Sequence, residues 1–286
     1  MWSLIGQQLQ SEWTIEPAAW ILKMVTEHQA PNEETSKKWS TIAETIRQNI
    51  NQHHIKSPKV IPICMALAKI GDPISLQILE KIESTNPDSK AQGVAALGVA
   101  MSLQPLGDEP ELIRRRLTYL RKAIIESSDI ELENTTVAKL AENELYQIRY
   151  LSKGRVAPDI SAKDANNQPI QLSDYKGKAV ILIFWSSTIP EALRTIEITN
   201  DMVKKLQSKP VVVLGVCHDS LETLRSMKND ETVTWRNFSD PSNELAKQYR
   251  VGSWPKVYVL DENRKIHYSG TQGTFAELTA EALIEK

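Results

Sequence analysis

Ala179-Val180-Ile181-Leu182-Ile183-Phe184-Trp185 is an unbroken apolar run rich in β-branched side chains. Pro210-Val211-Val212-Val213-Leu214-Gly215-Val216 is a second. A strand with one wet face alternates apolar and polar residues, so a continuous run marks a strand covered on both faces. Between the two lies an amphipathic stretch, Pro190 to Gln207, that reads as a helix. Strand, helix and strand in that order imply a right-handed parallel crossover. Downstream, Lys256-Val257-Tyr258-Val259-Leu260 is a third strand. Asp261-Glu262-Asn263-Arg264-Lys265 turns the chain, and Ile266-His267-Tyr268 opens a fourth strand. Helices are expected near 220–229, 243–249 and 275–285. The pattern predicts an α/β sandwich over residues 153–286, with helices on both faces of one sheet.

Upstream the period changes. Residues 1–152 show helical spacing and almost no alternation, which predicts an all-α domain. Helices are expected over 17–28, 33–49, 58–70, 74–85, 88–104, 110–127 and 134–150. Ser57-Pro58 places a capping residue before a proline suited to a first turn. Gly71-Asp72-Pro73, Asn86-Pro87-Asp88 and Gly107-Asp108-Glu109-Pro110 each stop one helix and start the next. Small residues recur inside helices, as in Ala95-Ala96-Leu97-Gly98, and let partners approach closely. A weak internal echo links Ile21-Leu22-Lys23 with Ile78-Leu79-Glu80. Stacked helical hairpins, broadly similar to tetratricopeptide arrays, and a plain helical bundle both fit.

Composition removes several classes of function. The chain has 286 residues, 24% of them charged, and a net charge of −2, without the basic excess of a nucleic-acid binder. No window of about 18 apolar residues offers a membrane span. Met1 to Trp20 lacks a basic start followed by a long apolar run, so it does not read as a signal peptide. The only cysteines, Cys64 and Cys217, fall in different predicted domains. They form neither a disulfide framework nor a cysteine-based zinc site. No catalytic triad, metal set or phosphate loop is found, and no cofactor is expected.

Four motifs in order carry a resemblance. They are Ala157-Pro158-Asp159, then Leu172-Ser173-Asp174-Tyr175-Lys176-Gly177-Lys178, then Phe184-Trp185, then Tyr249-Arg250-Val251-Gly252-Ser253-Trp254-Pro255. This half resembles the TlpA/ResA-like redoxins, thioredoxin-fold thiol–disulfide oxidoreductases related to peroxiredoxins (AhpC/TSA) and often exported. The resemblance implies a thioredoxin-like fold, a cis bond before Pro255, and a loop at Ser253 and Trp254 that pairs with an extended substrate. It also implies a Cys-x-x-Cys pair at the start of the helix after Phe184-Trp185. Here Ile189 and Ala192 stand at those positions, and only Pro190 matches between them.

Thiol–disulfide exchange needs a thiolate and a second thiol to resolve the mixed disulfide. Isoleucine and alanine supply neither. Thr188 and Glu191 have capping-box spacing and are expected to close the helix end that would otherwise serve a thiolate. Trp185 and Trp254 are candidate walls of a groove, with core packing as the alternative for both. The leading expectation is a redox-inactive thioredoxin-like protein that binds a protein or peptide partner, its helical half serving as an interaction or homo-oligomer surface. The alternative is an oxidoreductase or peroxidase-type redoxin using a lone thiol, Cys217, which follows the second strand and has His218 beside it; the other reading of Cys217 is a small buried side chain at a strand end.

Overall fold

The computed structural model describes residues 1–285. Contacts divide the chain into two compact units, Met1–Leu145 and Tyr146–Lys286. In the first, the helices are α1 (Trp2–Ile5), α2 (Ile15–Glu27), α3 (Glu33–Asn49), α4 (Ile61–Ile70), α5 (Pro73–Thr85), α6 (Ser89–Leu103), α7 (Pro110–Ser127) and α8 (Val137–Tyr146). The caps follow the punctuation. Asn32 accepts the Thr35 N–H at 2.8 Å, and Asp72 accepts that of Ser75 at 2.7 Å. Helix α6 is buried along most of its length. Its small residues have a direct cause: a Cβ on Gly98 would stand 2.9 Å from Leu79, and one on Gly93 2.3 Å from the Ser127 hydroxyl. Helices α5 and α7 approach it too closely for larger side chains.

Two expectations for this half need correction. It is mostly rather than wholly helical. Glu131–Leu132 (β1) and Thr135–Thr136 (β2) pair as an antiparallel ribbon where the start of the 134–150 helix was expected. Glu133, at φ 46°, reverses the chain there, and two β-branched threonines follow, so α8 begins only at Val137. The end of that helix also changes allegiance. A π-helical turn, Gln147–Leu151, continues α8, and Leu151 is buried in the core of the second unit. The units therefore part near residue 145, not 152.

The second unit opens with an antiparallel hairpin, β3 (Ser161–Lys163) and β4 (Pro169–Gln171). There follow β5 (Ala179–Trp185), α9 (Ala192–Leu206), β6 (Val211–Cys217), α10 (Leu221–Asn229), β7 (Arg236–Ser239), α11 (Glu244–Gln248), β8 (Lys256–Leu260), β9 (Ile266–Gly270) and α12 (Gly273–Ile284). The main sheet has the order β7-β6-β5-β8-β9. Strands β5, β6 and β7 run parallel, and β8 and β9 return antiparallel. Every residue of β5 is buried. Ile181, Ile183 and Trp185 face a core with Ile196 and Met202 of α9 and Ala276 and Ala280 of α12. Val180, Leu182 and Phe184 face the opposite core, with Leu172, Phe238 and Tyr249. The seven-residue run is apolar because alternate side chains enter two cores. This is the thioredoxin-like α/β arrangement.

The family-like motifs act as clasps on this scaffold. Asp159 accepts the Ser173 N–H and pairs with Arg264, both at 3.0 Å. The Tyr249 hydroxyl donates to the Pro158 carbonyl at 2.6 Å.

Candidate functional site

The parallel strands end together at one edge of the sheet, the usual place for a site in an α/β fold. Trp185 pairs with Cys217, and Cys217 with Ser239. Strand β8 begins at the same edge, since Lys256 lies opposite Phe184. The register thus sets Pro255 beside the point where the chain leaves β5. From there Ser186 to Glu191 lead into α9.

This exit is tied down by one carboxylate. Asp219, two residues past β6 and 8% exposed, accepts the Ser187 N–H at 2.9 Å and the Ser186 hydroxyl at 2.5 Å. Ser186 Oγ in turn accepts the Thr188 N–H at 3.2 Å and lies 2.8 Å from the Thr188 hydroxyl. Asp240, at the end of β7, is also buried and accepts the N–H groups of Leu245 and Ala246 at 3.1 and 3.0 Å. His218 sits between the two loops. Its N–H donates to the Trp185 carbonyl at 3.0 Å, its Nδ1 lies 3.1 Å from the Asp240 carbonyl, and its ring lies against Trp254 with centroids 5.7 Å apart.

Against this geometry the expected site residues divide. Ile189 is half-buried in the turn before α9, and Ala192 is the buried first residue of that helix. The Trp254–Pro255 bond is cis. Trp254 is half-buried against the core around Phe184, and Ser253 is exposed.

Three functional readings fail, and for Trp185 and Cys217 the packing alternative holds instead. Thr188 does not cap α9: its N–H and hydroxyl are engaged by Ser186, the helix starts later at Ala192, and no side chain caps it. Trp185 does not wall a groove: it is fully buried, donates its indole N–H to Asn237 Oδ1 at 2.8 Å, and packs on Trp235. Cys217 is not an accessible thiol: it is fully buried, with Sγ 3.6 Å from Asp219 Oδ2. Burial, reinforced by the Asp219 carboxylate, pushes its pKa up to about 12. Burial pushes Cys64 up to about 12 as well.

Sequence reasoning missed Asp219, Ser186 and Asn237. Each lies just past a strand end or on a strand without an apolar run, where a polar residue reads as loop. A strand ending in Cys217-His218-Asp219, beside another ending in Trp185-Ser186, was the available signal.

Comparison with known proteins places these features. Residues 153–269 match the AhpC/TSA family. The chloroplast peroxiredoxin Q of Sedum lineare is 27% identical over 134 residues, covering 44% of this chain and 71% of that protein. The peroxiredoxin Q of Oryza sativa subsp. japonica is 25% identical over 126 residues, covering 41% of this chain and 58% of that one. The thiol-disulfide oxidoreductase ResA of Oceanobacillus iheyensis is 26% identical over 130 residues, covering 44% and 65%. The chain therefore spans less than two thirds of the rice and Oceanobacillus relatives. Among solved structures, the thioredoxin domain of a thiol-disulfide oxidoreductase from Bacteroides vulgatus overlays with a TM-score of 0.43 at 21% identity, covering 46% of this chain and 98% of that one. The C-terminal half is a thioredoxin-fold redoxin domain. Among the described residues no helix is long and apolar enough to cross a membrane.

Proposed function

We propose that this redoxin domain is redox-inactive and serves in binding, with Ile189 and Ala192 in the places of the two thiols. The observation that carries the reading is the absence of sulfur from the whole exit of β5, Ser186 to Ala192. Exchange chemistry has no attacking atom there and no resolving one. The chain's two thiols do not compensate. Both are fully buried, both are held near 12, and they belong to different units. The surface left for a partner is the loop before the cis-proline. Exposed Ser253 offers backbone to an extended protein or peptide segment, and Trp254 offers a half-buried aromatic face. The helical half supplies a second protein-contacting surface, to a partner or to a further copy of the chain.

The test is reduction of insulin by dithiothreitol, with and without the purified protein. The expected rate equals the blank. Turnover above the blank that disappears in Cys217→Ser would overturn the reading and restore the lone-thiol alternative.

A further inference from the structure

The main sheet ends in β7 on one side and β9 on the other, and its two edges are treated differently. At β7, Arg236 ties the edge to the β3–β4 hairpin through Asp164 and the Pro169 carbonyl. At β9 the cover is half a strand. The Ile266 N–H donates to the Arg155 carbonyl at 2.8 Å, and the Ile266 and Arg264 carbonyls accept from Gly154 and Ala157 at 2.7 and 2.9 Å. This covering segment lies antiparallel on the edge. Gly154, at φ 86°, is where the chain first bends onto it. Beyond Ile266 the cover stops. Among the described residues, His267 to Gly270 meet no backbone partner outside the β8 ladder.

Open edges ordinarily carry lysine, proline or a carboxylate, because unpaired N–H and C=O groups recruit other strands. His267-Tyr268-Ser269-Gly270 has none of these, and its one irregularity is the register shift between Ile266 and Tyr268. Helix α12 flanks this edge: it covers β5, β8 and β9, while α9 covers β6. Its only charges, Glu277 and Glu281, are turned to α9, where they pair with Lys205 at 3.1 Å and Lys209 at 2.6 Å. Ala276 and Ala280 face the sheet. The helical period then carries Phe275, Leu278 and Ala282 to the side away from α9, toward the open edge. Phe275 is 54% exposed and Leu278 58%. An unpaired strand and an uncharged apolar helix face thus lie side by side.

We infer that β9 and α12 form the contact of a symmetric dimer, in which His267–Gly270 of two copies pair antiparallel and Phe275 and Leu278 of each pack on the other. The open stretch is bounded by the covering segment at one end and by the turn into α12 at the other. A long foreign strand would run into the cover. A second β9, reversed, is open over the same four residues and matches end for end. Pairing this short is marginal alone, so the occupant must bring an apolar body beside its strand. The chain's own α12 is such a body. A two-fold contact meets itself, which a face of like charges resists, and this face has no formal charge.

The experiment is sedimentation equilibrium of the full chain at neutral pH over ~1–100 μM, with amide hydrogen exchange at both ends of that range. The mass should rise toward twice the 32.2 kDa of one chain. Exchange should slow with concentration at His267–Gly270 and not in the helical unit. Phe275→Glu combined with Leu278→Glu sets like charges across the contact and should weaken association at least about 100-fold. Both side chains are exposed, so that variant should unfold at the parent's urea midpoint. A monomer throughout would overturn the proposal and leave the edge to a strand of another protein. A dimer as tight in the double variant, or protection confined to the helical unit, would overturn it too. If the variant folds poorly, the exchange pattern of the parent decides. None of these outcomes bears on the redox reading above.

Discussion

Gly215 shows how a single residue is fixed by what surrounds it. It lies mid-strand in β6, where glycine usually weakens a sheet. A Cβ there would stand 1.7 Å from Asn237 Oδ1 and 2.7 Å from Trp235 Nε1. Asn237 cannot retreat, because it accepts from Trp185 and donates to the Trp235 carbonyl at 3.0 Å. Gly215→Ala should therefore cost about 1–3 kcal/mol in urea unfolding, the range for overpacking a core. The parent's stability in the variant would show that the asparagine and two indoles can shift. The thiols make a second residue-scale prediction. With a pKa pushed up to about 12, Cys217 holds roughly 10⁻⁴ of its sulfur as thiolate at pH 8. A chromogenic disulfide reagent should titrate neither cysteine in the native protein and both in denaturant. Rapid native labelling of Cys217 would contradict its burial.

At the scale of elements, the start of α5 shows what a cap contributes. Asp72 closes the first turn and pairs with Arg47 of α3. Burial pushes its pKa up, but the Ser75 N–H and hydroxyl and the Arg47 cation outweigh that and hold it below the ordinary 3.8. A carboxylate depressed by folding adds stability that is present above the unfolded pKa and lost as pH falls through the folded one. Asp72→Ala should cost about 1–2 kcal/mol at neutral pH. Asp72→Asn keeps an acceptor for the cap and should cost less. Its deficit should shrink as pH drops below about 4, where the parent also loses the charge. Equal deficits at pH 7 and pH 3 would remove the charge from the account. Such a cap was legible in the sequence because it acts on neighbours: Asp72-Pro73 needs only local backbone. Strand β7 was not legible. In Arg236-Asn237-Phe238-Ser239 the pattern is set by Trp185 and Asp164, residues more than fifty positions away. Thr188 failed for the same reason. Its local spacing fits a capping box, but Asp219 holds Ser186 and Ser187 in a turn that delays the helix.

At the scale of the molecule, the sheet was legible because two full cores require unbroken apolar strands, and burial on both faces leaves few other readings of Ala179–Trp185. The chemistry of its edge was only partly legible, because a fold does not determine what its loops carry. That separation can be tested directly. Ile189 and Ala192 are joined by one turn, with the Ala192 N–H bonded to the Ile189 carbonyl at 3.0 Å. Such turns keep their end Cα atoms under about 7 Å, within the reach of a disulfide. Helix α9 follows, and beyond the Ala192 N–H taken by Ile189 its first turn has no side-chain cap to compete with an anion. Ile189→Cys together with Ala192→Cys should therefore form a disulfide on oxidation. The first of the new thiols should titrate below the ordinary value near 8.5, because the helix end favours the thiolate. Insulin reduction should rise above the blank in the double variant and in neither single variant, since a lone thiol at this turn has no resolving partner. A folded double variant that forms no disulfide and shows no activity would mean that Ile189 and Ala192 do not stand in the thiol positions. The redox-inactive reading would then rest on the two buried cysteines alone.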